Sequence, residues 1–85
     1  MSRNSEVRRT AKDKQYLKKL GDNIRAIRQK KGYSQEEFAE LVGFSRSYYT
    51  EIETGKRNIS VLNLIKIIET LKADPNELIG FLKSK

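Results

Sequence analysis

The stretch from Gln35 to Gly55 constrains the fold more than any other part of this 85-residue chain. It scans as two short helices joined by a sharp turn. Phe38, Val42, Tyr49 and Ile52 fall where two crossing helices would touch, and Ala39 is small enough to let them cross closely. Gly43, four residues further on, permits the positive φ that ends the first of the two helices in so tight a turn. The spacing predicts a helix-turn-helix, whose second helix is built to enter a DNA major groove.

The flanking sequence supplies the starts of three more helices. Thr10 with Asp13 fits a capping box, a hydroxyl at the N-cap and an acid at N3. From there Leu17, Leu20, Ile24 and Ile27 recur at three and four residues, one face of a long helix that ends near Lys31 with Gly32 at C′. Ser34 with Glu37 opens the second helix at Gln35. Ser45 caps the third, which runs to about Thr54 and is ended by Gly55. Ser60 caps a fourth, from Val61 to about Lys72. Asp74, Pro75 and Glu77 give N-cap, N1 proline and N3 acid for a short fifth helix. No strand alternation and no repeat is visible. The expectation is an all-α domain of five helices over residues 13–85, preceded by a basic, mobile arm over residues 1–12. Gly21, inside the first helix, costs about 1 kcal/mol relative to alanine. Nothing in the sequence explains it.

Composition narrows the function. The formal net charge is +7, which suggests an anionic partner, either nucleic acid or a membrane surface. The charge is uneven: residues 1–31 carry a net +8, residues 32–55 a net −4 and residues 56–85 a net +3. Arg46 is the one cation inside the acidic helix-turn-helix stretch. There is no histidine and no cysteine. Disulfides, thiolate metal sites and hydrolytic triads are therefore set aside, and no metal, cofactor or small-molecule ligand is expected. No enzyme is expected either, since no glycine-rich phosphate loop or other catalytic constellation can be assembled. No apolar run is long enough to span a membrane, and the first helix needs its apolar face for the core. The expected place is the cytoplasm.

Placed on a wheel, the third helix has Tyr49 and Ile52 on its core side and Ser47 at the centre of the opposite side, flanked by Thr50 and Glu51. Arg46, Ser47 and Tyr48 lie at its N-terminal end, placed to meet base edges. Arginine can fork onto guanine O6 and N7, and serine reads either base type weakly. Tyr48 divides evenly between contact with DNA and half-buried packing. Glu51 can accept from cytosine N4 or orient Arg46; either way a carboxylate there penalises loosely fitted complexes. Gln35, at N1 of the second helix, can donate to a phosphate beside free helix N–H groups. Ser45, Lys56, Arg57 and Asn58 complete a candidate phosphate-binding set. Arg28 and Glu53 are placed to pair, a salt bridge that would fix the angle of the reading helix.

The fourth helix is unusually apolar. Val61, Leu64, Ile65, Ile67, Ile68 and Leu71 cover roughly 160° of its surface at 100° per residue, wider than the ~100° stripe of a one-sided helix. Together with Ile79, Phe81 and Leu82 of the fifth helix, this predicts a second burial surface supplied by an identical chain. The expected interface residues are Ile67, Ile79, Phe81 and Leu82.

Leu20 to Arg28, then Gly32 to Gln35, Ala39, Gly43, and Ile52 to Arg57 resemble the phage repressor-like (Cro/cI, XRE) helix-turn-helix domain, over about residues 17–82. The resemblance implies that Gln35 touches phosphate, that the third helix reads bases and that the Arg28–Glu53 pair is buried. Arg46 to Tyr48 and Arg57 to Ser60 are similar to the controller proteins of restriction–modification systems. Those are small homodimers that switch transcription of their own operon and of the endonuclease gene. That similarity makes Glu36 and Glu40, on the acidic face of the second helix with Glu37, a candidate contact for RNA polymerase. Tyr49 stands where a β-branched aliphatic is usual. The reading is a homodimeric regulator of transcription on a near-palindromic operator in double-stranded DNA. The alternative is an antitoxin that also binds its own operator.

Overall fold

The computed structural model describes residues 10–82. Five helices run in order: α1 (Ala11–Lys30), α2 (Gln35–Val42), α3 (Arg46–Glu53), α4 (Val61–Leu71) and α5 (Pro75–Ile79), the last continued by a 3₁₀ turn over Gly80–Leu82. No strand occurs among the described residues. The expected N-terminal arm falls largely on residues 1–9, outside the described residues; Ala11 and Lys12, placed in it by the sequence, belong to α1.

The helix starts follow their capping residues. The Thr10 hydroxyl accepts from the backbone N–H of Asp13 at 3.0 Å, and the Asp13 carboxylate accepts from that of Thr10 at 3.1 Å. Ser34 and Glu37 repeat the arrangement at α2, and Asp74 and Glu77 at α5. Each box satisfies two N–H groups that a helix start would otherwise leave unpaired. Between α2 and α3, Gly43 adopts φ 84°, and its N–H and that of Phe44 return to the carbonyl of Ala39. A side chain would strain that left-handed residue, so glycine makes the short turn possible.

The core is built from one face of every helix. Leu20, Ile24 and Ile27 come from α1, Phe38 and Ala39 from α2, Tyr49 and Ile52 from α3, Ile67 and Leu71 from α4, and Leu78 from α5. Phe38 meets Tyr49 edge-on, with ring centroids 5.4 Å apart. Ala39 is almost fully buried, which is where a larger side chain would push the two helices apart.

Gly21 marks a close crossing of two helices. A Cβ on Gly21 would lie 2.4 Å from the carbonyl oxygen of Glu53 and 2.6 Å from that of Ile52. α1 thus crosses directly over the C-terminal end of α3, and the helix-propensity cost at Gly21 is offset by that contact. Gly55 repeats the device from the other side: its Cβ would stand 2.8 Å from the Cα of Lys18. The signal was in the sequence, but only the crossing itself says which backbone the glycine faces.

The apolar surplus is distributed differently from the sequence expectation. Ile67 is fully buried within the chain and so cannot contact a second copy. Phe81 is half-buried and stacks on Tyr16 of α1, at 6.2 Å between centroids and 30° between planes. Ile79 is half-buried against the same core. The Asn23 side chain donates to the Leu78 carbonyl at 2.9 Å, tying α5 to α1. The apolar groups facing outward are Val61, Leu62 and Ile65 of α4, with Leu82 beyond α5; Val61 is 73% exposed and Leu62 61%. α4 turns Ile67 and Leu71 inward and leaves Val61, Leu62 and Ile65 uncovered, so Ile67 drops out of the expected interface.

Candidate nucleic-acid interface

α3 presents a polar edge and anchors the other side. Arg46 and Ser47 are exposed; Tyr48, Thr50 and Glu51 are half-buried; Tyr49, Ile52 and Glu53 are buried. The N-cap, Ser45, uses its hydroxyl oxygen to accept from the Tyr48 N–H at 3.1 Å, which leaves the O–H free to donate elsewhere. The first turn of α3 therefore projects Arg46 and Ser47 from a start fixed by its cap.

Beneath that edge lies a buried polar network. The structure brings Arg28 and Glu53 together: Arg28 Nε donates to Glu53 Oε2 at 2.6 Å and Nη2 to Oε1 at 3.3 Å. Arg28 Nη1 also donates to the Tyr33 carbonyl at 2.7 Å, which holds the turn between α1 and α2. The Tyr49 hydroxyl donates to Glu53 Oε2, and Gln35 Nε2 donates to Oε1 at 2.9 Å. One carboxylate thus accepts from α1, α2 and α3. Burial acts to raise the Glu53 pKa, but the hydrogen bonds from Arg28, Tyr49 and Gln35 outweigh it and hold the group below the ordinary glutamate value. Burial and the bond to Glu53 push the Tyr49 phenol far above its ordinary value, so it stays a donor. The hydrogen bond to Glu53 raises the Arg28 pKa against the opposing effect of burial. A β-branched aliphatic at residue 49 would leave one lone pair of that carboxylate without a donor, which accounts for the tyrosine.

Gln35 is consequently not a dedicated phosphate donor. One amide N–H is committed to Glu53, its carbonyl oxygen accepts from Thr50 Oγ1 at 3.4 Å, and its second N–H remains. Thr50 leans toward Gln35 rather than standing clear of the helix. Beside them a polar hollow of about 310 Å³ opens, into which α1 contributes Arg25 and Gln29. Neither residue was among the sequence candidates. Their positions off the apolar stripe were visible, but the hollow depends on how α1 crosses α3.

A second cluster covers the outer edge of α3. Glu51 does not orient Arg46; it pairs with Arg57, whose Nη2 lies 2.8 Å and Nε 2.9 Å from Glu51 Oε1. The Arg57 guanidinium sits 5.3 Å from the centre of the Tyr48 ring. Tyr48 packs edge-on against Phe44 at 5.0 Å, and its hydroxyl accepts from Asn63 Nδ2 at 2.9 Å. Half-buried packing is thus what Tyr48 does in this state. Lys56, Arg57 and Asn58 are exposed on the loop after α3, and the Lys56 backbone N–H returns to the Glu51 carbonyl at 2.9 Å. Asn63 was missed by the sequence reading, since its contact spans two helices. On α2, Glu36 and Glu40 are exposed; Glu40 shares a shallow groove with Tyr33, Glu37 and the exposed Leu41. Among the described residues no helix is long and apolar enough to cross a membrane, and no cluster of acidic side chains could hold a metal ion.

Residues 24–78 match the helix-turn-helix family. Control protein C.MunI of a Mycoplasma species is 37% identical over 68 residues, which cover 79% of this chain and 92% of that protein. The crystal structure of the restriction–modification controller protein C.AhdI from Aeromonas hydrophila aligns with a TM-score of 0.69 at 44% identity, covering 73% of this chain and 94% of that one. The controller protein C.Esp1396I, solved as a tetramer in complex with its natural 35 base-pair operator, aligns with a TM-score of 0.69 at 30% identity over 79% of this chain.

Proposed function

The chain belongs to the helix-turn-helix family, close to the restriction–modification controller proteins, and from that premise we propose that it regulates transcription as a homodimer on a near-palindromic operator. The observation that carries the reading is the first turn of α3. Arg46 and Ser47 stand exposed there while Tyr49, Ile52 and Glu53 fix the helix from behind. A helix held so firmly on one side, with a guanidinium at its exposed N-terminal end, suits base readout in the major groove. Arg46 takes guanine O6 and N7. Ser47 reads beside it, and Tyr48, Thr50 and Glu51 border the read bases. Ser45, Lys56, Arg57, Asn58 and the remaining N–H of Gln35 meet phosphates and set the register.

The homodimer rests on the uncovered first turn of α4. Val61, Leu62 and Ile65 form an apolar face that a second copy would cover, and Leu82 beyond α5 is exposed as well. Two-fold pairing there places the reading helices about one DNA turn apart, roughly 34 Å. Glu36 and Glu40 are the residues offered to RNA polymerase, on the resemblance to controller proteins and on their exposure.

Selection of sites from random duplexes, followed by footprinting upstream of the protein's own gene, tests the reading. An enriched, near-palindromic site protected in that region is the expected result. Failure to enrich any site would overturn sequence-specific regulation. Sedimentation at tens of micromolar tests the dimer, and only monomer, with and without DNA, would remove it.

A further inference from the structure

We propose that Glu51 is an internal stand-in for DNA phosphate at Arg57, so that binding exchanges one anion for the other and sets the preference for cognate over random DNA. The inference rests on the DNA-binding reading above and goes beyond it by assigning Arg57 two alternative partners. Its basis is geometric. Arg57 presents two nitrogens to a single Glu51 oxygen, at 2.8 and 2.9 Å, while its guanidinium lies over the Tyr48 ring. Tyr48 is itself held by Asn63. The cation is therefore parked against the outer edge of the reading helix, not extended from its loop.

The pair is also exchangeable. Its side chains are 51% and 39% exposed, so water competes for both partners and the contact is weak. Any duplex offers phosphate oxygens that can replace the carboxylate, because arginine binds both anions in the same forked geometry. Exchange then leaves the Glu51 carboxylate beside a polyanion. On random DNA it has no new donor and must recruit a cation from solution. On a site that places a cytosine N4–H beneath Glu51, the freed carboxylate accepts that hydrogen instead. Displacement is compensated on the cognate sequence alone.

Exchange also alters the salt dependence. A phosphate contact normally releases about one counterion from the duplex, which steepens the fall of log affinity with log salt. Where the displaced carboxylate takes up a cation, that gain is largely cancelled. Glu51→Gln should therefore raise affinity for random duplex about two- to fivefold per subunit, the range expected for an exposed pair. It should raise cognate affinity less and steepen the random-DNA salt slope by up to about one per subunit.

The test measures binding of wild type, Glu51→Gln, Arg57→Ala and the double variant to cognate and random duplexes across a salt series. The expected result is a lower cognate-to-random ratio and a steeper slope for Glu51→Gln, with both effects lost in the Arg57→Ala background. Unchanged ratio and slope would overturn the exchange. So would effects of equal size with and without Arg57, since that is plain removal of a negative charge near DNA. Wild-type protein that binds no duplex would overturn the DNA-binding reading beneath it, an outcome distinct from both. A readout without DNA completes the test: the Arg57 Nε–H resonance of the free protein should move on Glu51→Gln, and a resonance that stays in place would overturn the parked arrangement.

Discussion

Glu51 and Glu53 stand two residues apart on α3, and each holds an arginine at salt-bridge distance, 2.8 Å and 2.6 Å. Their surroundings are opposite. The Arg28–Glu53 side chains are 7% and 1% exposed, and Glu53 has further donors in Tyr49 and Gln35. The Arg57–Glu51 side chains are 51% and 39% exposed, and the carboxylate shares its charge with solvent. Distance alone would rank the pairs as equals. Burial separates them, because a charge that has lost its water depends entirely on its protein partners. The inner pair fixes the angle of α3 against α1 and α2. The outer pair lies on the edge proposed to face DNA, and its exposure is what the proposed change of partners requires.

The inner pair should give the largest effect. Glu53→Ala leaves Arg28 buried without its anion and removes the acceptor for Tyr49 and Gln35. We expect a loss of about 3–5 kcal/mol of stability, read by urea unfolding. A loss below about 1 kcal/mol would mean that the two pairs do not differ in the way their burial implies. The acid limb gives an independent check. The folded-state pKa of Glu53 lies below the ordinary value of 4.5, so the unfolded chain takes up the proton first. Its stabilisation is present above that value and is lost as pH falls through the lowered folded-state pKa. Glu53→Gln should therefore flatten the acid dependence of stability below about 4.5. Equal acid slopes in wild type and variant would show that Glu53 is not held ionised.

Next in size is Gly21→Ala. Alanine is the better helix former by about 1 kcal/mol, so propensity alone predicts a more stable protein. The added Cβ would stand 2.4 Å from a carbonyl oxygen of α3, and backbone must move to admit it. Overpacking of this kind costs about 1–3 kcal/mol, and against the propensity gain we expect a net loss of up to about 2 kcal/mol. Thermal unfolding decides the sign. A raised Tm would show that α1 and α3 separate easily, and the rigid seat for the reading helix would go with it.

The contrast between these glycine and glutamate positions also marks what could be read from sequence. The five helices were legible because each start carries its own cap, a local signal within four residues: Thr10, Ser34, Ser45, Ser60 and Asp74. The helix-turn-helix was legible from Ala39 and Gly43, whose sizes are demanded by the crossing. The Arg28–Glu53 pairing was within reach because both residues border apolar stripes. Gly21, Asn63 and Arg25 were opaque, since their roles depend on which backbone, ring or hollow another helix brings near. Ile67 was misplaced for a related reason: a wheel gives the apolar arc of α4 but not which part of it the core consumes. Arg57 was assigned to phosphate with no view of Glu51, six residues earlier, because a loop has no periodicity from which to infer facing.

On the outer edge, Arg46→Ala should cost about 1–3 kcal/mol of binding per half-site and relax preference at one base pair. It should barely affect folding, because Arg46 is exposed at the first turn of α3. Lys56→Ala should instead weaken all sequences alike and flatten the salt slope. A selected sequence logo that is unchanged by Arg46→Ala would remove Arg46 from base readout.

The smallest expected effect is that of Glu51→Gln on stability in the absence of DNA. Exposed ion pairs contribute roughly 0–1 kcal/mol, and Arg57 has the Tyr48 ring, 5.3 Å away, as a second contact that does not depend on the carboxylate charge. Glutamine also retains an acceptor oxygen where the carboxylate stood. For a domain of this size 1 kcal/mol corresponds to about 4–8 °C in Tm, so the expected drop lies between zero and about 8 °C and should shrink in high salt. The measurement is a thermal melt at low and high ionic strength beside the Glu53→Gln variant. A Tm loss as large as that of the inner variant, and insensitive to salt, would make the outer pair structural. Arg57 would then be too firmly held to trade Glu51 for a phosphate. A small, salt-sensitive loss is the behaviour an exchangeable pair requires, since a contact that breaks on every binding event cannot also hold the fold together.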